Sequence, residues 1–332
     1  MHPIARASRP LRIVLPGGSG QVGRVLAEYF QERGHHVTVL TRLPYAETWQ
    51  TVRWDGETVG PWTEYLEGAD VCINLAGRSV NCRYTDANRA AIYDSRIHST
   101  RLLGEVMSAL ADPPRVWLNA STATIYRHAL DRPMDEADGE FGGNEWMTAR
   151  RRAPRSWNFS IRVAKDWEAA FFAAPTPRTR KVALRSAITF SPVPGNAFAI
   201  LLNLVRFGLG GAQGNGRQFV SWIHELDFAR AVEFLLYRDD IDGPVNVASP
   251  NPLPNREFMA VLREAWGVPN GLPTPAPLIE LAAVFLRTES ELVLKSRRVV
   301  PGRLLDGGFQ FEFPTWQEAA EDLVHRWRHR FD

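Results

Sequence analysis

Three glycines, Gly17, Gly20 and Gly23, stand at a spacing that suits the binding of a phosphate group. They follow an apolar, β-branched run and lead into a segment whose apolar residues recur at helical spacing. A glycine turn between a strand and a helix lets the backbone approach a pyrophosphate, and the helix N-terminus presents free N–H groups to the anion. Together with Gln21 and Val22, which begin the helix, the glycines therefore predict a cradle for a dinucleotide.

Each glycine of this turn has its own expected role. Gly17 permits a tight turn, Gly20 lets the backbone come close to a pyrophosphate, and Gly23 lets the helix pack closely on the strand. The spacing is G-x-x-G-x-x-G, one residue wider at the front than the dinucleotide fingerprint G-x-G-x-x-G. A tight turn with a purely structural role is the alternative, but the flanking strand and helix favour cofactor binding.

The end of the second predicted strand bears on which dinucleotide is bound. Dinucleotide enzymes that prefer NAD place a carboxylate there, where it bonds the ribose 2′-hydroxyl. Here the strand ends at Thr41, and Arg42 follows it. A neutral residue removes repulsion against a 2′-phosphate, and a guanidinium makes charge-assisted hydrogen bonds to it. The pair therefore favours NADP over NAD, with an ordinary surface arginine as the alternative.

Alternating strand and helix signals position these residues. Strands are predicted at residues 11–16, 36–41, 51–54, 70–77, 116–121, 182–190 and 245–247. Helices are predicted at residues 22–30, 86–110, 160–173, 197–207 and 227–237, and a final helix starts at the capping box of Thr315 and Glu318. Strands that alternate with helices at this interval imply a parallel sheet with helices on both faces, with ligands bound beyond the carboxyl ends of the strands.

The expected fold class is therefore α/β, a doubly wound parallel sheet with a smaller C-terminal α/β lobe. We expect a nucleotide-binding domain at residues 10–190, completed by residues 226–248, and a substrate lobe at residues 191–225 and 249–332. From residue 127 to residue 158 the periodicity fails, and this segment contains a basic cluster of arginines. The segment is interpreted either as a lid over the strand ends with an affinity for anions or as a solvated surface insertion.

Length, composition and charge limit the function. The chain has 332 residues, 45% hydrophobic and 23% charged, which suits one large α/β domain or a nucleotide domain with a lobe. A net charge of +2 gives no reason to expect nucleic acid or a membrane surface as a partner. No apolar run is long enough to span a bilayer, and residues 1–9 lack the apolar core of a secretory signal. Two cysteines are too few for a disulfide framework or a metal site, so a cytoplasmic location is expected.

Several motifs together resemble the extended short-chain dehydrogenase/reductase superfamily. They are Gly17-x-x-Gly20-x-x-Gly23, Asn74-Leu75-Ala76-Gly77, Asp94-Ser95-Arg96, Ser121-Thr122-Ala123-Thr124-Ile125-Tyr126, Gly208-Leu209-Gly210-Gly211, Gly214-Asn215-Gly216-Arg217-Gln218, Ser221-Trp222-Ile223-His224, Val300-Pro301 and Gly308-Phe309-Gln310-Phe311-Glu312-Phe313-Pro314. From residue 11 onward the chain looks like the atypical branch called epimerase family protein, whose members carry a C-terminal domain of unknown function. The resemblance implies a Rossmann sheet with a small C-terminal substrate lobe, and NADP(H) as the ligand.

The chemistry of that superfamily needs a Ser or Thr hydroxyl at the end of strand five and a Tyr-x-x-x-Lys on the next long helix. The tyrosine passes the proton, and the charge of the lysine lowers its pKa. Thr122 fits the hydroxyl position, since Thr122 and Tyr126 match the Ser-x-x-x-Tyr pattern that follows this strand. The Tyr-x-x-x-Lys pair is absent, because the alignment puts Ser160 at the tyrosine position and Ala164 at the lysine position. Lys165 is adjacent, but one step round a helix points it about 100° away.

The missing pair leaves the proton donor open. Tyr126 is the first candidate, ahead of His224 and Glu136; a pocket wall, a structural histidine and a surface acid are the respective alternatives. By the same resemblance, residues Leu75 to Gly77 line the ribose and nicotinamide side of the cofactor, with close helix–sheet packing as the alternative. Arg217 stands where extended epimerases hold the diphosphate of the substrate, and a solvated loop arginine is its alternative. His224 is grouped with Arg217 as a substrate residue.

We therefore expect an NADP(H)-binding oxidoreductase or epimerase-like enzyme in which Thr122 orients the reacting oxygen. Its substrate would be a small molecule such as a nucleotide-sugar or a carbonyl compound. A non-catalytic NADPH-binding sensor or scaffold is the rival hypothesis, which the absent Tyr-x-x-x-Lys supports directly. A sugar-nucleotide binding module without catalysis is a third. Two long helices form a four-helix dimer in many relatives, so a homodimer also stays open.

Overall fold

The computed structural model describes residues 9–143, 146–148, 151–152, 155–285 and 289–329. The strands, in chain order, are β1 (Arg12–Pro16), β2 (His36–Thr41), β3 (Gln50–Arg53), β4 (Val71–Asn74), β5 (Val116–Thr122), β6 (Trp146–Thr148), β7 (Arg151–Arg152), β8 (Arg180–Ser186), β9 (Ile188–Phe190), β10 (Phe219–Val220), β11 (Trp222–His224), β12 (Gly243–Val247) and β13 (Leu253–Pro254). The α-helices are α1 (Gln21–Glu32), α2 (Asp86–Ala109), α3 (Arg155–Ala173), α4 (Ala197–Arg206), α5 (Glu225–Leu236), α6 (Asn255–Trp266), α7 (Ala276–Phe285), α8 (Glu291–Leu294), α9 (Gly302–Asp306) and α10 (Trp316–Arg328).

A central sheet carries the fold. In the described part of the chain it has seven strands in the order β12-β8-β5-β4-β1-β2-β3. Every neighbouring pair is parallel. Helices α1 and α5 cover one face around Phe30 and Phe228, and helices α2 and α3 cover the other around Leu103 and Phe171. Because both faces are covered, the strands are apolar on both sides, and the predicted doubly wound α/β fold is confirmed.

The strand order reverses at β1. The chain passes from β1 to β2 and β3 on one side, then returns to β4, β5, β8 and β12 on the other. At such a point the loops that follow β1 and β4 leave in opposite directions and open a crevice at the carboxyl ends of the strands. The register pairs Pro16 with Leu40, and Asn74 follows Cys72, which pairs with Val14. The glycine turn, the end of β2 and the end of β4 therefore meet at this edge.

Helix α3 begins earlier than the sequence predicted. Its first residue is Arg155, whereas the prediction placed the start near residue 160. Trp157, Ile161 and Ala164 are buried and lie on one stripe, so the burial of Trp157 extends the helix by more than a turn. The polar residues at the start of the helix interrupt the apolar pattern, so the sequence did not indicate its first turn.

The predicted strand at residues 182–190 is divided in the structure. Strand β8 stays in the central sheet, while β9 leaves it and pairs in parallel with β11. The division lies at Ala187, whose N–H donates to the carbonyl of Val247. The sequence offers no glycine or proline between residues 182 and 190, so it contains no sign of this change of partner.

Part of the predicted insertion is packed against the C-terminal region. The N–H of Met134 donates to the carbonyl of Arg298 at 2.7 Å, and the N–H of Ala129 donates to that of Ser296 at 3.4 Å. In the basic cluster, Arg150 lies outside the described residues, and Arg155 is exposed. Whether the segment acts as a lid stays a prediction.

The C-terminal lobe has a core of its own. Helices α4, α6 and α10 enclose the rings of Phe258 and Trp316, which stack with centroids 4.1 Å apart. The predicted capping box at the start of α10 is confirmed, since Thr315 and Glu318 bond each other's backbone. Residues 289–300, which precede α10 in the chain, pack against β10, where the backbone N–H of Arg297 donates to the carbonyl of Phe219. In the described ranges, no helix combines the length and the apolar character needed to cross a membrane.

Candidate active site

The glycine turn is built by close backbone contacts. Gly17 has φ +75°, and a Cβ there would lie 2.6 Å from the backbone of Ala76. A Cβ on Gly23 would lie 2.3 Å from the carbonyl oxygen of Gly18. The sequence had suggested that Gly23 packs the helix on the strand, whereas in the structure it packs the helix on the turn. For Gly20 the nearest atom to an added Cβ is 3.8 Å away. A Cβ added at Gly20 would therefore clash with no atom of the chain and would enter the space open to a ligand.

The first turn of α1 offers unpaired donors beside this open space. Its N-cap, Gly20, has no side chain to bond the N–H groups of Gln21 and Val22, and these have no intrahelical acceptors. The side-chain Nε2 of Gln21 is buried and has no partner among the described residues. Free backbone N–H groups at a helix N-terminus beside an open space suit a pyrophosphate.

A cavity of about 410 Å³ and a neighbouring one of about 760 Å³ form one groove along the crevice. Leu75, Ala76 and Gly77 line both cavities and join them. We call the larger the cofactor cavity, since the glycine turn opens into it, and the smaller the inner cavity. Asn74 shapes the shared wall, because its Oδ1 accepts the N–H of Ala76 at 3.0 Å while its Nδ2 donates to Asn119 at 2.7 Å.

Thr41 and Arg42 both line the cofactor cavity. Thr41 is buried and its hydroxyl donates to Ser19 at 3.1 Å, whereas Arg42 is exposed and has no hydrogen-bond or ion-pair partner among the residues described. Asp55 also lines this cavity, but its carboxylate accepts the hydroxyl of Thr58 at 2.6 Å. A cation without an internal partner is thus left at the end of β2.

Thr122 lies on the inner cavity. Its Oγ1 accepts the N–H of Thr124 at 3.1 Å, which leaves the hydroxyl hydrogen for an acceptor in the cavity. The neighbouring Ser121 is committed to structure, because its hydroxyl donates to Glu168 at 2.6 Å. Thr122 is therefore the hydroxyl of this strand end that can meet a ligand.

Tyr126 does not lie on either cavity. It is buried, its hydroxyl donates to Asn246 at 2.9 Å, and it accepts a hydrogen bond from Arg185 at 2.8 Å. Arg185 in turn makes two bonds to Glu168, at 2.8 and 2.7 Å. Burial also raises the pKa of Tyr126. The expectation that Tyr126 is the first proton donor is therefore corrected: its hydroxyl belongs to a structural network behind the cavity wall.

His224 and Glu136 are likewise structural. His224 is 1% exposed; its Nδ1 accepts the N–H of Leu226 at the start of α5, and its Nε2 lies 2.9 Å from Asp322. Glu136 accepts the backbone N–H groups of Asn246 at 2.7 Å and Arg303 at 3.3 Å. With all these atoms engaged, neither side chain reaches the groove, and His224 is not a substrate residue in this arrangement.

Arg217 is exposed and is absent from the described walls of both cavities. Its backbone N–H donates to the side chain of Asn215 in the same turn. This position favours the second interpretation of Arg217, that of a solvated loop arginine, over that of a residue that holds a diphosphate.

Several polar groups face the inner cavity, of which the sequence had named Ser160 and, as part of a motif, Arg96. Tyr84 precedes α2, Ser160 lies on α3, and Glu291 begins α8. The Tyr84 hydroxyl is 3.4 Å from the Ser160 hydroxyl, which donates to Glu291 Oε2 at 2.7 Å. Arg297 faces the other carboxylate oxygen of Glu291 at 3.7 Å, and Arg96 completes the polar wall.

Burial changes the ionisation of these groups. Burial raises the pKa of Glu291 above its usual value. It also raises the pKa of Tyr84 to about 12, and it lowers the pKa of Arg96 to about 10. Arg96 has no carboxylate partner in the described ranges; two of its hydrogen bonds go to the carbonyls of Arg78 and Ile92. Ser160 stands at the position the resemblance gave to the missing tyrosine. Tyr84 and Glu291 carried no signal, because residues so far apart in sequence meet only in the fold.

The described residues hold no group of three or more His, Cys, Asp or Glu side chains that could bind a metal ion. The polar chemistry in view is that of hydroxyls, one carboxyl and two guanidinium groups.

Two family models match the chain. Residues 13–152 match the NAD dependent epimerase/dehydratase family, which covers β1 to β7. Residues 274–323 match a domain of unknown function, DUF1731, which contains Glu291 and Arg297 of the inner cavity. The matched domains thus contribute to the two sides of the same groove.

The chain is also similar to proteins of known sequence or structure. It is 31% identical to the mouse (Mus musculus) epimerase family protein SDR39U1, over 95% of this chain and 100% of that protein. A crystal structure of human epimerase family protein SDR39U1 with NADPH superimposes with a TM-score of 0.81 at 28% identity, over 95% of this chain and 99% of that one. MoeE5 in complex with UDP-glucuronic acid and NAD shares the fold, with a TM-score of 0.68 at 18% identity over 96% and 99% of the two chains.

Proposed function

The chain belongs to the epimerase family proteins of the NAD dependent epimerase/dehydratase family, and from that premise we propose that it binds NADP(H) and transfers hydride to or from a small substrate. The observation that carries the proposal is the continuous groove from the open cradle at Gly20 to the hydroxyl of Thr122. The NADPH in the structure of the human relative supports the choice of ligand.

The residues of the cofactor cavity suit the parts of NADP(H). The N–H groups of Gln21 and Val22 would hold the pyrophosphate, and Arg42 would bind the 2′-phosphate. Leu75 to Gly77 lie at the junction with the inner cavity, where the nicotinamide would reach the substrate. When bound, NADP(H) supplies or accepts the hydride at the nicotinamide ring.

Within the inner cavity Thr122 would donate its hydroxyl hydrogen to the reacting oxygen and so fix its position. Orientation of this kind converts an encounter into a reaction within one complex. The apolar walls, such as Val163 and Phe228, exclude water from that point and strengthen the hydrogen bond.

The size and lining of the inner cavity favour a small carbonyl compound or alcohol over a whole nucleotide-sugar. Its 410 Å³ must also take the nicotinamide end of the cofactor. Arg217, which would hold a diphosphate in the resemblance, is exposed and away from the groove. UDP-sugars are ligands of solved structures that share this fold, so they stay in the set of substrates to be tested.

A non-catalytic NADPH-binding sensor or scaffold is the second candidate. The specific observation in its favour is the replacement of the superfamily's Tyr-x-x-x-Lys pair by Ser160 and Ala164. Such a protein would keep the cofactor cavity and lose the label transfer tested below. A cytoplasmic location fits the two free thiols of Cys72 and Cys82 and is part of either candidate, as is a homodimer.

The test uses NADPH deuterated at C4 of the nicotinamide. The protein is incubated with a panel of aldehydes, ketones, quinones and UDP-glucose, and the products are examined for deuterium by mass spectrometry. We expect transfer to a carbonyl compound, reduced at least about 100-fold in Thr122→Ala with NADPH affinity kept. A matched control is Thr63→Ala, which changes a hydroxyl far from the groove. Tight NADPH binding without transfer to any probe would favour the sensor.

A further inference from the structure

The inner cavity holds a phenol, that of Tyr84, although the catalytic tyrosine of the superfamily is missing. Tyr84 is 7% exposed and packs edge-on against Phe159 of α3, with ring centroids 5.2 Å apart. Its backbone N–H donates to Glu289 at 2.8 Å, which fastens this segment to the C-terminal lobe. The phenol therefore enters the cavity on a rigid support, from a different element than the one that carries it in the superfamily.

A continuous hydrogen-bonded chain extends from this phenol. The Tyr84 hydroxyl lies 3.4 Å from Ser160 Oγ, and Ser160 donates to Glu291 Oε2 at 2.7 Å. All three residues line the cavity that contains Thr122. The other carboxylate oxygen, Glu291 Oε1, is buried and has no hydrogen-bond partner among the described residues, although Arg297 lies 3.7 Å from it. A buried carboxyl with spare capacity at the end of such a chain is suited to store a proton.

We propose that Tyr84 is the catalytic acid and base of this site, and that Ser160 and Glu291 relay the proton to and from it. The inference rests on the proposed function and deepens it, since it names the groups that replace the absent Tyr-x-x-x-Lys. Arg96 takes the electrostatic part of the lysine, because its charge acts on Tyr84 and no carboxylate among the described residues neutralises it.

The proton balance of the reduction is as follows. The carbonyl carbon gains the hydride of NADPH, which becomes NADP⁺, and the carbonyl oxygen gains the proton of the Tyr84 hydroxyl. Tyr84 recovers a proton from Ser160 Oγ, and Ser160 recovers one from the carboxyl group of Glu291. Glu291 is left as a carboxylate and is protonated again from water. In the oxidation every transfer runs in reverse, and Glu291 accepts the proton of the alcohol.

Charges around the relay suit both directions. Burial raises the pKa of Glu291, while Arg297 and Lys295 oppose that rise, so the carboxyl keeps its proton to a higher pH than an exposed glutamate. Burial also raises the pKa of Tyr84, and the charge of Arg96 opposes it. The charged and titratable groups that face the relay are Arg96, Glu289, Lys295 and Arg297.

The first test measures label transfer from C4-deuterated NADPH to the carbonyl panel. Tyr84→Phe should lower kcat by about 100-fold or more, because general acid catalysis contributes about 10² to 10⁴. The affinity for NADPH, followed by nucleotide fluorescence, should change less than twofold. Tyr93→Phe is the matched control: this tyrosine of α2 lies outside the inner cavity, and the variant should keep the wild-type rate.

The second test is the pH profile, which a merely structural role would not change. Reduction needs a protonated Glu291, so its kcat should fall as the pH rises through the pKa of that group. Oxidation needs the carboxylate, so its kcat should rise through the same midpoint. Glu291→Gln should remove both dependences, and Glu136→Gln, which alters a partly buried carboxylate outside the cavity, should leave them intact. Ser160→Ala should slow both directions with an unchanged KM.

A third readout does not depend on turnover. Infrared difference spectra of the protein titrated without substrate should contain the carbonyl stretch of protonated Glu291, identified by its loss in Glu291→Gln. Ser160→Ala should shift the frequency of this band, and Tyr84→Phe should shift its titration midpoint. A band that neither change moves would overturn the relay.

The outcomes separate the two levels of the proposal. If wild-type protein transfers label and Tyr84→Phe transfers it equally fast, the relay is overturned and the proposed function stands. If wild-type protein binds NADPH and transfers label to no probe, the proposed function is overturned, and the catalytic role of Tyr84 with it.

Discussion

The cofactor cavity and the inner cavity share a wall but are assembled in opposite ways. The donors of the cofactor cavity come from one short turn, residues 17–23, and from the next strand end at Arg42. The polar groups of the inner cavity come from four separate segments, represented by Tyr84, Thr122, Ser160 and Glu291. One site is therefore a property of local sequence, and the other exists only after the C-terminal lobe has closed on the sheet.

The difference shows where each site is vulnerable. A local turn fails when its own backbone is changed, because its contacts are made between near neighbours. An assembled site fails when a distant contact that holds its walls is removed. Substitutions that separate these two effects are given below.

The largest effect is expected at the buried ion pair behind the inner cavity. Glu168 of α3 bonds Arg185 of β8 at 2.7 Å, and the side chain of Arg185 is 4% exposed. Glu168→Ala leaves that charge buried without its partner, which costs about 3–5 kcal/mol. The measurement is urea unfolding, with Glu105→Ala as a control, since Glu105 is exposed on α2. A loss below about 1 kcal/mol would mean that the walls do not depend on this contact.

At the turn the decisive change is Gly17→Ala. Its Cβ would overlap the backbone of Ala76, and a left-handed φ costs about 1–2 kcal/mol besides. The dissociation constant of NADPH should rise at least about 100-fold, because the displaced turn no longer aims its N–H groups at the pyrophosphate. Gly34→Ala is the matched control: its φ is +82° but no atom lies within 4 Å of the added Cβ. That variant should lose stability and keep NADPH affinity; equal losses of affinity would contradict the steric argument.

The same contrast explains what could be predicted from the sequence. The strands of the central sheet, its flanking helices and the turn at Gly17 follow from periodicity and from glycine geometry, both of which act over a few residues. By residue type, three side chains were reasonable proton donors: Tyr126, His224 and Glu136. In the fold each of them is engaged in hydrogen bonds to residues distant in the sequence. Conversely, nothing near Glu291 in the chain indicates that it will meet Ser160, because the lobe that brings it there folds back over the sheet.

Arg42→Asp should change the selectivity of the cofactor cavity. Arg42 is exposed and lies at the end of β2, so it can meet a 2′-phosphate without a structural cost of its own. Loss of a charge-assisted bond should weaken NADPH binding about tenfold or more, and NADH binding much less. Titrations with both nucleotides test this. Arg53→Asp controls for net charge, since Arg53 is an exposed arginine of β3 that lies opposite Thr41 of β2. Equal losses of affinity for NADPH and NADH would contradict the proposed role of Arg42 in binding the 2′-phosphate of NADP.

Asp322→Asn tests whether His224 is structural. Burial opposes the ionisation of Asp322, but His224 and Arg326 outweigh it and hold the pKa of Asp322 below its usual value. The stabilisation by this carboxylate is therefore present above its unfolded-state pKa and lost as the pH falls through the lower folded value. The variant should be about 1 kcal/mol less stable at neutral pH, with a gap that closes in acid, and should keep its turnover. A change in kcat without a change in stability would contradict the structural role and support the hypothesis that His224 is a substrate residue.

The smallest effect is expected at Arg217, and it limits how far the substrate site extends. The side chain is exposed and lies away from the described walls of both cavities, so Arg217→Ala should change the free energy of unfolding by less than about 0.5 kcal/mol. The affinity for NADPH should also be unchanged. The informative measurement is calorimetry with UDP-glucose, since a diphosphate held by Arg217 would lose a charge-assisted bond in the variant. If wild-type protein binds UDP-glucose and the variant does not, the substrate site reaches the loop at residues 214–217, and a nucleotide-sugar replaces the small carbonyl compound as the favoured substrate.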